Sequence, residues 1–176
     1  MRRATNKVLQ KAKRQKKDEF YTQLSDVENE LKHYKIHFKN KIVYCNFGPS
    51  YKITPEIFDL WMDILKEVPN SILWLLETNI STSKNIIKEA IKRNISEKRI
   101  LFGKYLPHEQ HLKRISLGDI FLDTYPYGAH VTASEALRME VPVLTMMGNS
   151  FASRVAGSML ECIGLKQLIT FNLEEY

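Results

Sequence analysis

Glycine is scarce in this sequence, seven residues in 176, and no three of them stand at Gly-x-Gly-x-x-Gly or Walker spacing. The generic dinucleotide and P-loop readings therefore lack their fingerprint. The two cysteines, Cys45 and Cys162, have no Cys-x-x-Cys partner and no His at ligand spacing. A disulfide framework and a metal site are both disfavoured, and a reducing, cytoplasmic setting is expected. No apolar run approaches the roughly 20 residues that span a bilayer, and the N-terminus has no signal-like core, so no membrane partner is expected.

An excess of positive charge is missing from most of the chain. Residues 1–42 hold 12 Lys and Arg against 5 Asp and Glu, and the remaining residues hold 14 against 15. The net charge of +6 thus belongs to the leader. A basic surface across the body, the footprint of a nucleic-acid binder, is absent, so nucleic acid is not the expected partner. The arm from Arg2 to Lys17 reads as a solvated or disordered tail, or less commonly as an interaction segment.

What is present is periodicity. Phe20, Leu24, Val27, Leu31 and Tyr34 recur at spacings of four and three, the stripe of an amphipathic helix that packs on the body or on a neighbour. From Ile42 onward short apolar runs alternate with helical periods: Ile42 to Phe47, Ser71 to Leu76, Arg99 to Phe102, Ile120 to Leu122, Val141 to Thr145 and Gln167 to Thr170. Six such alternations predict an α/β fold, a Rossmann-like, doubly wound parallel sheet with helices on both faces. The domains expected are a basic arm and helix over 1–41 and one Rossmann-like domain over 42–176. Thr54 with Pro55, Ser81 to Ser83, Pro107 and Ser150 are the expected helix starts. Asn172 to Tyr176 reads as the cap and acidic first turn of one more helix.

The candidate site is the run Asp123-Thr-Tyr-Pro-Tyr-Gly-Ala-His-Val-Thr-Ala-Ser-Glu-Ala-Leu137. It reads as strand, loop and helix start, where free amides and the positive end of the helix dipole favour a phosphate. His130 and Thr132 lie at that start, and Glu135 is placed to accept hydrogen bonds from sugar hydroxyls. The competing reading is an ordinary strand-to-helix turn that binds nothing. Lys52, after the first strand, is either a surface charge or a group that neutralises a departing diphosphate. His108, His111 and Arg114 form either a solvated polar face or a base-contacting one, and zinc lacks a third ligand.

The same run, with Val141-Pro-Val-Leu-Thr145, Phe151-Ala-Ser-Arg-Val-Ala-Gly-Ser158, Tyr44-Cys-Asn-Phe47, Tyr51-Lys-Ile53 and Pro69-Asn-Ser-Ile-Leu-Trp-Leu-Leu76, closely resembles the catalytic region of the O-linked N-acetylglucosamine transferase and SPINDLY family. The resemblance covers 42 to about 175, and residues 1–41 do not obviously match. It implies the C-terminal, nucleotide-sugar-binding half of a GT-B glycosyltransferase, working on a UDP-sugar and a protein Ser or Thr with inversion and without a metal or other cofactor. By motif position Lys52 is the lysine that stabilises the UDP leaving group. His108 stands where animal members have a ribose-contacting lysine. His111 and Arg114 match uracil-recognising positions, beside the Leu106 backbone. His130, Val131 and Thr132 match the phosphate-holding helix start, with Val131 in place of a Thr, and Glu135 replaces a ribose-binding Asp. The acceptor-side domain of the family is not in this sequence, and no residue is an evident base. The expected partners are a UDP-sugar, a protein or peptide acceptor and that missing domain, on this or another chain. The alternative is a nucleotide-binding or interaction module, inactive by itself.

Overall fold

The computed structural model describes residues 28, 29 and 31–176. Two compact units divide at Lys39 and Asn40. In the first, residues 31–37 are helical, and the rings of Tyr34 and Phe38 stack at 5.6 Å. The basic arm and the Phe20, Leu24 and Val27 part of the stripe lie outside the described residues.

The second unit is built on six parallel strands: β1 (Ile42–Asn46), β2 (Ser71–Leu76), β3 (Ile100–Gly103), β4 (Ile120–Leu122), β5 (Val143–Met146) and β6 (Ile169–Thr170), in the order β3-β2-β1-β4-β5-β6. Every residue of β2 is buried, which is why that run carries no polar alternation. The flanking helices are α1 (Pro55–Glu67), α2 (Ile80–Lys92), α3 (His108–Ile115), α4 (Val131–Arg138) and α5 (Val155–Cys162). The architecture is the α/β, Rossmann-like one that the alternating pattern predicts.

Local chemistry sets the boundaries. Thr54 caps α1 by accepting from the Ile57 amide at 3.4 Å, and Pro55 occupies the first turn, where a missing N–H costs nothing. The helix buries Ile57, Phe58, Trp61, Met62 and Leu65, each worth about 1.5–3 kcal/mol of transfer free energy. α2 is capped by Asn79, whose side chain accepts from the Thr82 amide at 2.8 Å, and not by Ser81 to Ser83 as expected. β5 starts at Val143 because Pro142 has no N–H for a ladder, although its carbonyl still accepts from Phe121 at 2.8 Å. Arg99 precedes β3 and ends a short 3₁₀ turn; its guanidinium holds the carbonyls of Val68 and Ser71 at 2.7 and 2.8 Å. At Asn172 the capping chemistry exists without the helix. The side chain accepts from the amides of Glu174 and Glu175 at 3.0 and 2.9 Å, but the segment closes as a turn.

The chain runs outward from β1 to β3, then returns to place β4 beside β1 and continues the other way. The carboxyl ends of β1 and β4 are therefore the switch point, where helices diverge and leave a crevice.

Candidate functional site

Asn46 joins the two strand ends at the switch point. Buried at the end of β1, it donates from Nδ2 to the Leu122 carbonyl at 2.7 Å, while Oδ1 accepts from the Gly48 amide at 2.8 Å. A Cβ at Gly48 would stand 3.0 Å from that Oδ1, so glycine lets the turn close tightly on the Asn46 side chain. The chain then enters a single 3₁₀ turn, Ser50–Lys52, that delivers Lys52.

The loop after β4 is organised by Asp123, which is wholly buried. Its Oδ1 accepts from the amides of Thr124 and Ala129 at 2.7 and 2.6 Å, and its Oδ2 from the Thr145 hydroxyl at 2.7 Å. Burial raises the carboxyl pKa, while these hydrogen bonds and the Lys52 charge oppose the rise. The Thr124 hydroxyl donates to the Tyr127 carbonyl at 2.7 Å, the Tyr125–Pro126 peptide is cis, and the Gly128 amide donates to Ala152 at 2.9 Å. A Cβ on Gly128 would lie 3.0 Å from Asp123 Oδ2 and 3.2 Å from the Ala152 carbonyl, a close approach that favours glycine there. From the core side, Tyr176 donates its hydroxyl to the Asp123 carbonyl at 2.8 Å and accepts from Trp61 Nε1 at 3.3 Å.

Lys52 meets this loop. Its Nζ donates to the Gly128 carbonyl at 3.0 Å and stands 3.7 Å from the centre of the Tyr127 ring. Burial lowers its pKa, and the Asp123 carboxylate pulls the other way. Three residues beyond Gly128, α4 begins. His130 is its N-cap but makes no side-chain cap; the ring packs between Tyr127 at 5.5 Å and Phe151 at 5.7 Å. The first intrahelical bond runs from the Ser134 amide to the His130 carbonyl, so by helix geometry the amides of Val131, Thr132 and Ala133 point past the helix end. Val131 is 71% exposed, its side chain in solvent beside those amides.

A second cluster stands on α3. Arg114 is 2% exposed, its guanidinium 4.3 Å above the Phe47 ring and hydrogen-bonded to the Lys104 carbonyl. A Cβ at Gly103 would come within 2.9 Å of Arg114 Nη1, so that glycine clears the path of the side chain. Nη2 lies 2.6 Å from His111 Nδ1. Arginine only donates, so Nδ1 accepts and the imidazole proton is assigned to Nε2. Burial first, then the Arg114 and His108 charges, hold the His111 pKa down at about 4, which keeps the ring neutral. Nε2 faces Glu135 Oε2 at 3.6 Å, and His108 Nδ1 faces Oε1 at 3.3 Å. Leu106 is half-buried in the link from β3 to α3.

The structure thus gathers the sequence candidates into two groups. Lys52 meets the loop leading to His130, Val131 and Thr132, and His108, His111 and Arg114 converge with Glu135. Asn46, Asp123 and Phe47 were missed as site builders. The signals were a polar residue inside the apolar run of β1 and a carboxylate directly after β4. Two hollows flank the constellation. One of about 670 Å³ is bordered by Ser134, Phe151 and Met159, and one of about 740 Å³ by Pro126, Met146 and Phe171. Neither is lined by Lys52, His111, Arg114 or Glu135, which instead form an open shelf along the strand ends.

The six-stranded parallel sheet, with this polar cluster at its switch point, is the Rossmann-like fold that GT-B glycosyltransferases share. More narrowly, the chain belongs to Glycosyl transferase family 41, whose profile matches residues 5–176. The match reaches back into the arm, which corrects the expectation that residues 1–41 stand outside the resemblance. The chain is 39% identical over 135 residues to a UDP-N-acetylglucosamine--peptide N-acetylglucosaminyltransferase of Caenorhabditis elegans, covering 77% of this chain and 12% of that protein. It is 34% identical over 139 residues to an Arabidopsis thaliana protein described as a probable enzyme of the same kind, SPINDLY, covering 77% and 15%. Among solved structures, a mutant O-GlcNAc transferase of Thermobaculum terrenum superposes with a TM-score of 0.75 at 33% identity, over 77% of this chain and 27% of that one. The chain therefore spans a small part of the length of the relatives it matches.

Proposed function

We propose that this chain is the donor-binding domain of a UDP-sugar-dependent glycosyltransferase that transfers N-acetylglucosamine or another hexose, with inversion, to Ser or Thr of a protein. The observation that carries this reading is the pairing of a half-buried ammonium, Lys52, with the uncapped start of α4 through the Gly128 carbonyl. A diphosphate between them would meet one full positive charge and the amides of Val131 and Thr132. As the bond to the sugar breaks, negative charge grows on the diphosphate, and preorganised donors stabilise that charge more than the ground state. In this reading no metal or other cofactor is required, because lysine and helix start supply the positive charge.

The second cluster would hold the nucleoside. Arg114, buried against the Phe47 ring, fixes the His111 ring from beneath, and the pair would form a rigid polar edge suited to a uracil, with the Leu106 backbone nearby. Glu135, its two oxygens each facing an imidazole, retains lone pairs for ribose hydroxyls, and His108 stands at the same spot. The acceptor hydroxyl and the group that takes its proton would come from an acceptor-side domain outside these residues. No helix among the described residues is long and apolar enough to cross a membrane. A cytoplasmic setting is proposed from the two free cysteines.

Calorimetric titration with UDP, GDP and NAD tests the reading. Selective UDP binding that weakens in both Lys52→Ala and Glu135→Ala is the expected result. A folded chain that ignores UDP, or takes all three alike, overturns it.

A further inference from the structure

An exposed aromatic ring on a loop otherwise tied down by hydrogen bonds calls for a cause. Tyr127 is 44% exposed, so its ring contributes little to the core. Its backbone, by contrast, is fixed on both sides. The Tyr127 carbonyl accepts from the Thr124 hydroxyl, and the next amide donates to Ala152. The ring meets the Lys52 ammonium at 3.7 Å from its centre and the His130 ring at 5.5 Å. These are one residue from each of the two elements that flank the diphosphate in the functional reading above.

The face of an aromatic ring is its negative pole, and an ammonium within about 6 Å of the centroid is attracted to it. Lysine is a flexible point charge whose rotamer freedom must be lost before it can act at one place. The Gly128 carbonyl fixes one donor direction of Nζ, and the ring fixes a second. With both in place the ammonium is aimed before any ligand arrives, which lowers the entropy lost on binding.

We propose that Tyr127 is a positioning residue for Lys52, its ring face holding the ammonium beside the start of α4 so that a nucleoside diphosphate meets a preorganised charge. The proposal rests on the donor-domain reading. It assigns the effect to the ring and none to the phenol hydroxyl, so phenylalanine serves in its place and leucine does not. The residue stands outside the buried core cluster, so both substitutions leave that cluster intact.

The test uses the full 176-residue chain, with lysines reductively dimethylated using ¹³C-formaldehyde, a modification that keeps their charge. The Lys52 signal is assigned by its absence in Lys52→Met. In the free protein this signal is expected upfield of the other lysines through the ring current of Tyr127, unchanged in Tyr127→Phe and back among them in Tyr127→Leu. With unmodified protein, Tyr127→Leu is expected to weaken UDP roughly 2- to 5-fold, the usual scale of such a contact. Tyr127→Phe restores the affinity, and in a Lys52→Met background Tyr127→Leu has no further effect. An unshifted Lys52 signal overturns the proposal, as does a Tyr127→Leu loss that persists in full without Lys52. The free-protein signal is read without ligand, so a missing contact is told apart from a failure to bind UDP, which overturns the donor reading itself.

Discussion

The two halves of the shelf are built on opposite plans. On the α3 side, Arg114, His111 and Glu135 form a wired chain: a buried guanidinium donates to a neutral imidazole, which turns its remaining N–H toward a carboxylate. On the α4 side, Lys52 and the helix start leave charge and amides facing outward, with the scaffold beneath supplied by Asp123. In the proposed reading the contrast follows from what each half would meet. A base edge is planar and is recognised by fixed donors and acceptors, so its receptor has to be rigid and desolvated. A diphosphate carries diffuse charge, so its receptor needs positive potential that remains free to act. Stability and binding are therefore expected to separate along this line.

Removing Arg114 breaks the wired half most severely. Arg114→Ala leaves the Lys104 carbonyl and His111 Nδ1 without their donor and opens space against Phe47, at a cost of about 2–4 kcal/mol in folding stability. Urea unfolding reads it as a lower midpoint. Lys52→Ala is the counterpart on the open half. Folding is expected to stay within about 0.5 kcal/mol, while UDP binding falls roughly 10- to 100-fold, the scale of a charge-assisted contact. If both substitutions lower stability equally, the comparison fails.

The pH response sharpens it. The folded-state pKa of His111 is depressed to about 4, so the stability tied to its neutral ring is present above the unfolded value of 6.5 and is lost as pH falls from there toward 4. Thermal unfolding of the chain should decline over that window, and His111→Gln should decline less. Glu135→Gln is the mildest change, because the amide keeps the shape and one acceptor. It is expected to weaken UDP about 5-fold with little effect on the melting temperature, checked by calorimetry and a thermal scan.

Much of this was legible in the sequence, for reasons tied to particular residues. The parallel sheet followed from near-continuous runs such as Ser71 to Leu76, and Thr54 with Pro55 marked α1 because capping is local chemistry. The ends of elements were less visible. Asn79 lies outside the helical period, so its capping role shows only when its side chain reaches the Thr82 amide. Asn172 promised a helix that closed as a turn. Within the site, the residues with outward chemistry were named from the motif, but their supports were not. Asp123 bonds to Thr145 22 positions away, and Asn46 to Leu122 across 76, and no spacing rule connects such pairs before the sheet is formed. The burial of Arg114 was likewise hidden, since an arginine on a short helix reads as solvated until Gly103 and Phe47 are seen to make room for it.

The hydrogen bonds from the Trp61 indole to the Tyr176 hydroxyl and on to the Asp123 carbonyl have an optical consequence. The chain has two tryptophans, and the one in α1 is wired through a single phenol to the base of the loop between β4 and α4. Any ligand that shifts the loop alters the polarity around that indole, so in a Trp74→Phe chain the wavelength of Trp61 emission becomes an intrinsic gauge of whether the shelf is filled.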